Sequence, residues 1–164
     1  MNYISSDTNI WLDFDAISRV ALPFRMPCTY IMYQEALRKE IVTPPNLLGD
    51  LIRYGLVGVE LTTEEFFYAS ELSRRYVKLS GYDRTALAIA KFRNIPLLTG
   101  DNALRKAAKK ENVEVMGTIG LLDRLHDEDH ISKEEYKYCL EALLRHPERR
   151  LPKEEIEKRL KSMI

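Results

Sequence analysis

The sequence has no excess of charge of either sign: 25 Lys and Arg stand against 25 Asp and Glu over 164 residues. No global positive field therefore draws nucleic acid to it, and any such binding has to come from local patches. Cysteine is scarce. Cys28 and Cys139, taken with His126, His130 and His146, show none of the ligand spacings of a zinc module. Two lone cysteines also make no disulfide framework, so both thiols are expected to be reduced and at least partly buried. Long hydrophobic runs are missing as well. None approaches the roughly 20 apolar residues that cross a bilayer. The opening Met1-Asn2-Tyr3-Ile4 lacks the basic and apolar regions of a signal peptide. A cytoplasmic protein with no membrane association is the expectation. There is no internal repeat and no low-complexity segment.

What is present is an ordinary globular composition, 45% hydrophobic and 30% charged, in a chain long enough to bury one sizeable core. Residues 3–6 are short, β-prone and followed by a helix-start signal at Asp7-Thr8-Asn9. A helix is predicted over 8–24, ending near Pro23. Further strands are predicted at 29–32, 57–61, 95–98 and 113–116. Further helices are predicted at 34–41, 45–54, 62–79, 83–92, 101–111 and from 117 or 118 to about 125. Thr62-Thr63-Glu64-Glu65 and Ser132-Lys133-Glu134-Glu135 are capping boxes. Strands that alternate with helices argue for an α/β fold with a mostly parallel central sheet covered on both faces. The character changes near residue 126. Helices at about 132–144 and 152–163 form a helical C-terminal extension over 127–164, packed on the 1–126 domain or on a partner.

Three acids stand at helix starts. Asp7 follows the first strand, Asp101 follows Ile95-Pro96-Leu97-Leu98-Thr99-Gly100, and Asp83 follows Ser80-Gly81-Tyr82. In a parallel α/β sheet, ligands bind beyond the carboxyl ends of the strands, so these acids can converge from distant points in the chain. The plainer reading of each is an N-terminal helix cap, and Ser80 to Asp83 fits the capping-box template. The two readings are compatible, because a carboxylate has two oxygens.

Ile4-Ser5-Ser6-Asp7-Thr8-Asn9 resembles the opening Asp-Thr/Ser-Asn motif of the PIN domain. Asp83-Arg84-Thr85-Ala86-Leu87-Ala88-Ile89-Ala90 resembles that family's later helix, an Asp followed by small apolar residues. Leu97 to Ala108 resembles its Thr-Gly-Asp pattern followed by Leu-Arg and Ala. Val113 to Leu122 is similar to its Gly-Thr turn from strand to helix. The likeness covers residues 3 to about 126, and a helical tail occurs in some toxin-like members.

The resemblance implies a PIN-like α/β/α sandwich and a metal-dependent endoribonuclease, of which the toxin of a toxin–antitoxin pair is one form. Asp7, Glu40, Asp83 and Asp101 are then the catalytic carboxylates, with Asp7, Asp83 and Asp101 as ligands of Mg²⁺ or Mn²⁺. Hard divalent ions prefer such oxygen donors, and crowded carboxylates need a cation to offset them. The number of ions stays open. Glu40 is preferred as the helix acid because an apolar residue, Leu37, precedes it by three; Glu35 is the alternative. Asn9, Thr99 and Asn102 are candidates to orient ligands or water. Arg105, Lys106 and Lys109 are candidates for the RNA backbone, with Lys110 on the same helix and Arg74, Arg75 and Lys78 on an earlier one. Tyr82 is a candidate stacking platform or core edge, and Trp11 is core or partner surface. The implied partners are RNA, a cognate antitoxin protein and a second copy of the chain.

Two other readings stand beside it. One is a non-catalytic PIN-like module that binds RNA or protein, for which mutually repelling carboxylates would have no use. The other is a different Mg²⁺-dependent α/β protein, of the haloacid dehalogenase or receiver type. Those start from paired Asp residues after the first strand, whereas Asp7 is followed by Thr8-Asn9, with Asp13 and Asp15 well into the helix.

Overall fold

Five strands, β1 (Tyr3–Ser6), β2 (Thr29–Tyr33), β3 (Val57–Val59), β4 (Leu97–Leu98) and β5 (Val115–Met116), form one sheet in the order β3-β2-β1-β4-β5. All four pairings are parallel. The computed structural model describes residues 2–164. Between and after the strands run α1 (Thr8–Ala16), α2 (Gln34–Glu40), α3 (Leu47–Tyr54), α4 (Thr63–Arg75), α5 (Gly81–Arg93), α6 (Asn102–Lys110), α7 (Thr118–Asp127), α8 (Lys133–Leu144) and α9 (Lys153–Lys161). Short 3₁₀ turns lie at Leu22–Arg25 and Pro147–Arg149. The α/β class expected from the order of elements is what the chain adopts, with helices on both faces. Leu98 belongs to one apolar cluster with α1, α2, α7 and α8, while Leu97 belongs to another with α4, α5 and α6. Successive strand residues face opposite sides of a sheet, so each side receives its own core.

The strand order creates a switch point. From β1 the chain builds outward through β2 to β3, then returns across the sheet to start β4 on the other side of β1. The crevice beyond the carboxyl ends of β1 and β4 is where open α/β sheets bind ligands. Asp7 and Asp101 follow those two strands.

Helix α1 is shorter than the sequence predicts. It ends at Ala16 rather than near residue 24, because Ser18 adopts a left-handed φ of 57° and the Arg19 N–H turns back onto the Phe14 carbonyl at 2.8 Å. This is a Schellman-type ending carried by a serine, so no glycine marks it. The freed segment curls beneath the sheet. There Trp11 stacks on Phe24 at 5.3 Å and meets Tyr30 edge-on at 5.2 Å, fully buried. Trp11 is therefore core. Both cysteines are free thiols, Cys139 buried and Cys28 half-buried.

The C-terminal helices are not a detached arm. Tyr136, Cys139, Leu140, Leu143 and Ile156 share the apolar cluster of α1 and β1. The Arg159 guanidinium grips Asp123 of α7 with Nη2 to Oδ2 at 2.7 Å. Arg149 reaches Asp13 of α1 with Nε to Oδ1 at 2.7 Å. No helix among the described residues is long and apolar enough to cross a membrane.

Candidate active site

The sheet ladder itself brings the first acids together. The Asp7 N–H donates to the Leu98 carbonyl at 3.0 Å, which fixes the end of β1 beside the end of β4. Thr99, fully buried one residue beyond β4, then joins the two strand ends. Its Oγ1 donates to Asp7 Oδ2 at 3.0 Å and accepts the Asp101 N–H at 3.1 Å. Both Asp residues cap the helices that follow them. Asp7 Oδ1 accepts the Thr8 N–H at 2.9 Å, and Asp101 Oδ2 accepts the Leu104 N–H at 2.9 Å. The capping expectation thus holds, and Thr99 ties the two strand ends that carry Asp7 and Asp101. One oxygen of Asp101 has no protein donor among the described residues.

Asp83 arrives from another direction. Helix α5 lies close to β1 because Ala86, Ala88 and Ala90 are small and buried. Ser5 Oγ donates to the Ala86 carbonyl at 2.9 Å, which ties the first turns of α5 to the strand before Asp7. Ser80 and Asp83 form a complete capping box, with Asp83 Oδ2 accepting the Ser80 N–H at 2.9 Å. The fourth acid comes from the end of α2. Leu37 is buried, as the spacing predicts. Glu40 Oε1 accepts from Thr8 Oγ1 at 2.8 Å, one residue after Asp7. Glu35 instead pairs with Lys39 at 3.2 Å along its own helix.

The electrostatics show how these groups act on one another. Burial pushes the Asp7 carboxyl up to about 7, and the negative charges of Asp83 and Glu40 push the same way, against hydrogen bonds from Thr99 and Thr8. Asp83 is also raised, by burial and by the charge of Asp101, with Ser80 and Arg84 opposing. Among the described residues, no basic side chain forms an ion pair with Asp7, Glu40, Asp83 or Asp101. A buried carboxylate without a counter-charge is costly, and nearby like charges make it more so. The donor chemistry fits a hard divalent cation: oxygens only, with no sulfur or imidazole nearby. No three such side chains among the described residues close into a finished cage, so a bound ion would have to complete its coordination with water or substrate, as Mg²⁺ commonly does.

The supporting candidates fall in different places. Thr99 bridges Asp7 and Asp101, as above. Asn9 and Asn102 are exposed at the starts of α1 and α6 and line a cleft beside Asp101. Arg105 is half-buried and folded over Gly117, so close that a Cβ there would lie 2.2 Å from a guanidinium nitrogen. Lys106 and Lys109 are exposed. Lys106 shares a groove of about 320 Å³ with Arg75, Lys78 and Lys110. Tyr82 is half-buried against Tyr33, ring centroids 6.5 Å apart.

Sequence reasoning passed over Asp13. It is buried beneath the β4–α6 loop, accepting from Thr118 Oγ1 at 2.6 Å and from Arg149 Nε at 2.7 Å. Burial raises its pKa, while Thr118 and Arg149 pull the other way. The available signal was an acid three residues after Ile10 and one before Phe14, on the apolar face of α1.

An all-parallel α/β/α sandwich with unpaired acids at its switch point defines a class, the PIN fold. A family model described as a PIN domain matches residues 4–164, nearly the whole chain, and the protein belongs to that family. PIN domains are generally nucleases and typically bind divalent metals. Comparison with curated proteins and with solved structures gives no match.

Proposed function

We propose that this protein is an endoribonuclease that hydrolyses RNA phosphodiester bonds with Mg²⁺ or Mn²⁺ at the carboxylates beyond β1 and β4. The observation that carries the reading is Asp7: its pKa is raised by burial and then by its acidic neighbours, and it is paired with no basic residue among those described. Such a group is stabilised by an external cation. Asp7, Asp83 and Asp101 would hold it, with Glu40 beside them. The bound cation supplies Lewis-acid chemistry, offsetting phosphate charge and activating water for attack at phosphorus.

The chain's own residues do the rest. Thr99 fixes the relative positions of Asp7 and Asp101 through its two hydrogen bonds. Thr8 holds the Glu40 carboxylate toward the cluster. The capping bonds of Asp83 and Asp101 set their orientation while leaving each an oxygen free. Lys106 and Lys109, exposed on α6, provide phosphate contacts that position the RNA without reading its sequence. A toxin role adds a silencing partner protein, and growth arrest on expression that depends on Asp7 is its signature.

The test is cleavage of single-stranded RNA with added Mn²⁺ or Mg²⁺. Asp7→Asn and Asp101→Asn keep a helix-capping side chain and should each lower the rate by at least about 100-fold. EDTA should abolish the parent's activity. Cleavage unaffected by both substitutions removes the assignment.

A further inference from the structure

Beside Asp101 lies a cleft of about 330 Å³, walled on one side by Asn9 and the β4–α6 loop and on the other by the turn at Glu148–Leu151. Its volume sits near the lower end of pockets that take small ligands, about 300–1,000 Å³. We propose that this cleft binds a backbone phosphate of single-stranded RNA next to the scissile one, with Arg150 as the phosphate contact and Arg149 as a positioning residue that holds the turn in place. The inference rests on the endoribonuclease reading and adds a subsite to it.

The charges in the cleft are not equivalent. Arg149 is committed: its Nε bonds Asp13 at 2.7 Å and its Nη2 the Asn9 carbonyl at 3.3 Å, pinning the 3₁₀ turn to α1. Glu148 is paired with His146 at 2.7 Å. Arg150 makes no side-chain hydrogen bond or ion pair with any described residue, is exposed, and still lines the cleft.

Its backbone is in the left-handed region, φ 57°, a conformation disfavoured for a side chain of this kind. The fixed turn holds it there, and Arg150 lines the same cleft as Asn102 at the start of α6. A guanidinium is matched to phosphate, with a planar fork of donors. Phosphate binding here would place the next phosphodiester along the strand toward the acids beyond β1 and β4.

Arg150→Gly is the decisive variant, because glycine accepts the left-handed turn and the fold is expected to persist. Binding of a fluorescein-labelled single-stranded RNA, measured by anisotropy in EDTA between about 50 and 200 mM salt, should weaken about tenfold. The slope of log affinity against log salt should become shallower by about 0.7, the loss of one phosphate contact. KM for cleavage should rise similarly with kcat within about twofold, while Arg150→Lys keeps the parent slope. Arg150→Gly with the parent's affinity, slope and KM overturns the subsite and leaves the nuclease reading intact. RNA binding that depends on Arg150 in a protein that does not cleave keeps the phosphate contact but overturns the nuclease reading and, with it, the placement beside a scissile bond. A parent that neither binds nor cleaves RNA overturns both.

Discussion

Asp7 and Glu65 are both almost inaccessible acids, and their surroundings treat them in opposite ways. Glu65 lies at the start of α4, 1% exposed, with the Arg93 guanidinium on it at 2.8 Å and the Thr62 N–H at 2.9 Å. Burial pushes its pKa up, but Arg93 and Thr62 outweigh that and hold it below the usual value. Asp7 is 5% exposed and, among the described residues, receives a threonine hydroxyl and an amide, with acids as its charged neighbours. The first arrangement completes itself and serves the fold. The second has no counter-charge among the described residues, and that is what the proposed cation would supply. Glu111, held low by Tyr68, Tyr76 and Arg75, belongs with Glu65.

The comparison is broken most directly by exchanging the consequences of the two acids. Asp7→Asn should abolish cleavage while raising the stability of the metal-free protein at pH 8 by about 2 kcal/mol, the relieved burial cost less a lost hydrogen bond from Thr99. Glu65→Gln should do the reverse. It leaves Arg93 unpaired and lowers stability by about 3 kcal/mol, with kcat per folded molecule unchanged. Chemical denaturation beside the cleavage assay reads both. Equal stability losses for the two would erase the distinction.

A smaller effect sharpens it through pH. The Asp7 pKa is raised from 3.8 to about 7, so the unfolded chain ionises first and metal-free stability falls as pH rises through that window. The advantage of Asp7→Asn is therefore absent below about pH 4 and complete above about pH 7. Glu65 has the opposite sign. Its pKa is lowered from 4.5, so its contribution is present above that value and is lost as pH falls through the folded-state pKa. The cost of Glu65→Gln should shrink in acid while the gain of Asp7→Asn also vanishes there. Thermal unfolding curves across this range check both signs.

Much of this contrast was legible in the sequence. Asp7 and Asp101 each follow a short strand and open a helix, and the alternation of strands and helices puts such positions at one edge of a sheet. The preference for Glu40 over Glu35 came from the resemblance, in which an apolar residue precedes the Glu by three; Leu37 is buried and Glu40 accepts from Thr8 beside Asp7. The capping boxes at Thr62 and Ser80 were visible as spacings and are present as hydrogen bonds. What could not be read depended on contacts distant in sequence or on unusual backbone. Ser18 ends α1 in a conformation normally announced by glycine. Arg149 finds Asp13 from the far end of the chain, so the cleft beside Asp101 was invisible until the C-terminal turn was in place. The charges that raise the Asp7 pKa likewise come from two separate elements, Asp83 of α5 and Glu40 of α2.

We propose that a divalent cation completes the acids beyond β1 and β4. Calorimetric titration of the metal-free protein with Mn²⁺ at pH 6, in two buffers of different ionisation enthalpy, tests it most directly. The account predicts saturable binding that releases close to one proton, with both the affinity and the proton release lost in Asp7→Asn and retained in Glu65→Gln. Absence of binding, or binding with the same proton release in Asp7→Asn, would contradict it.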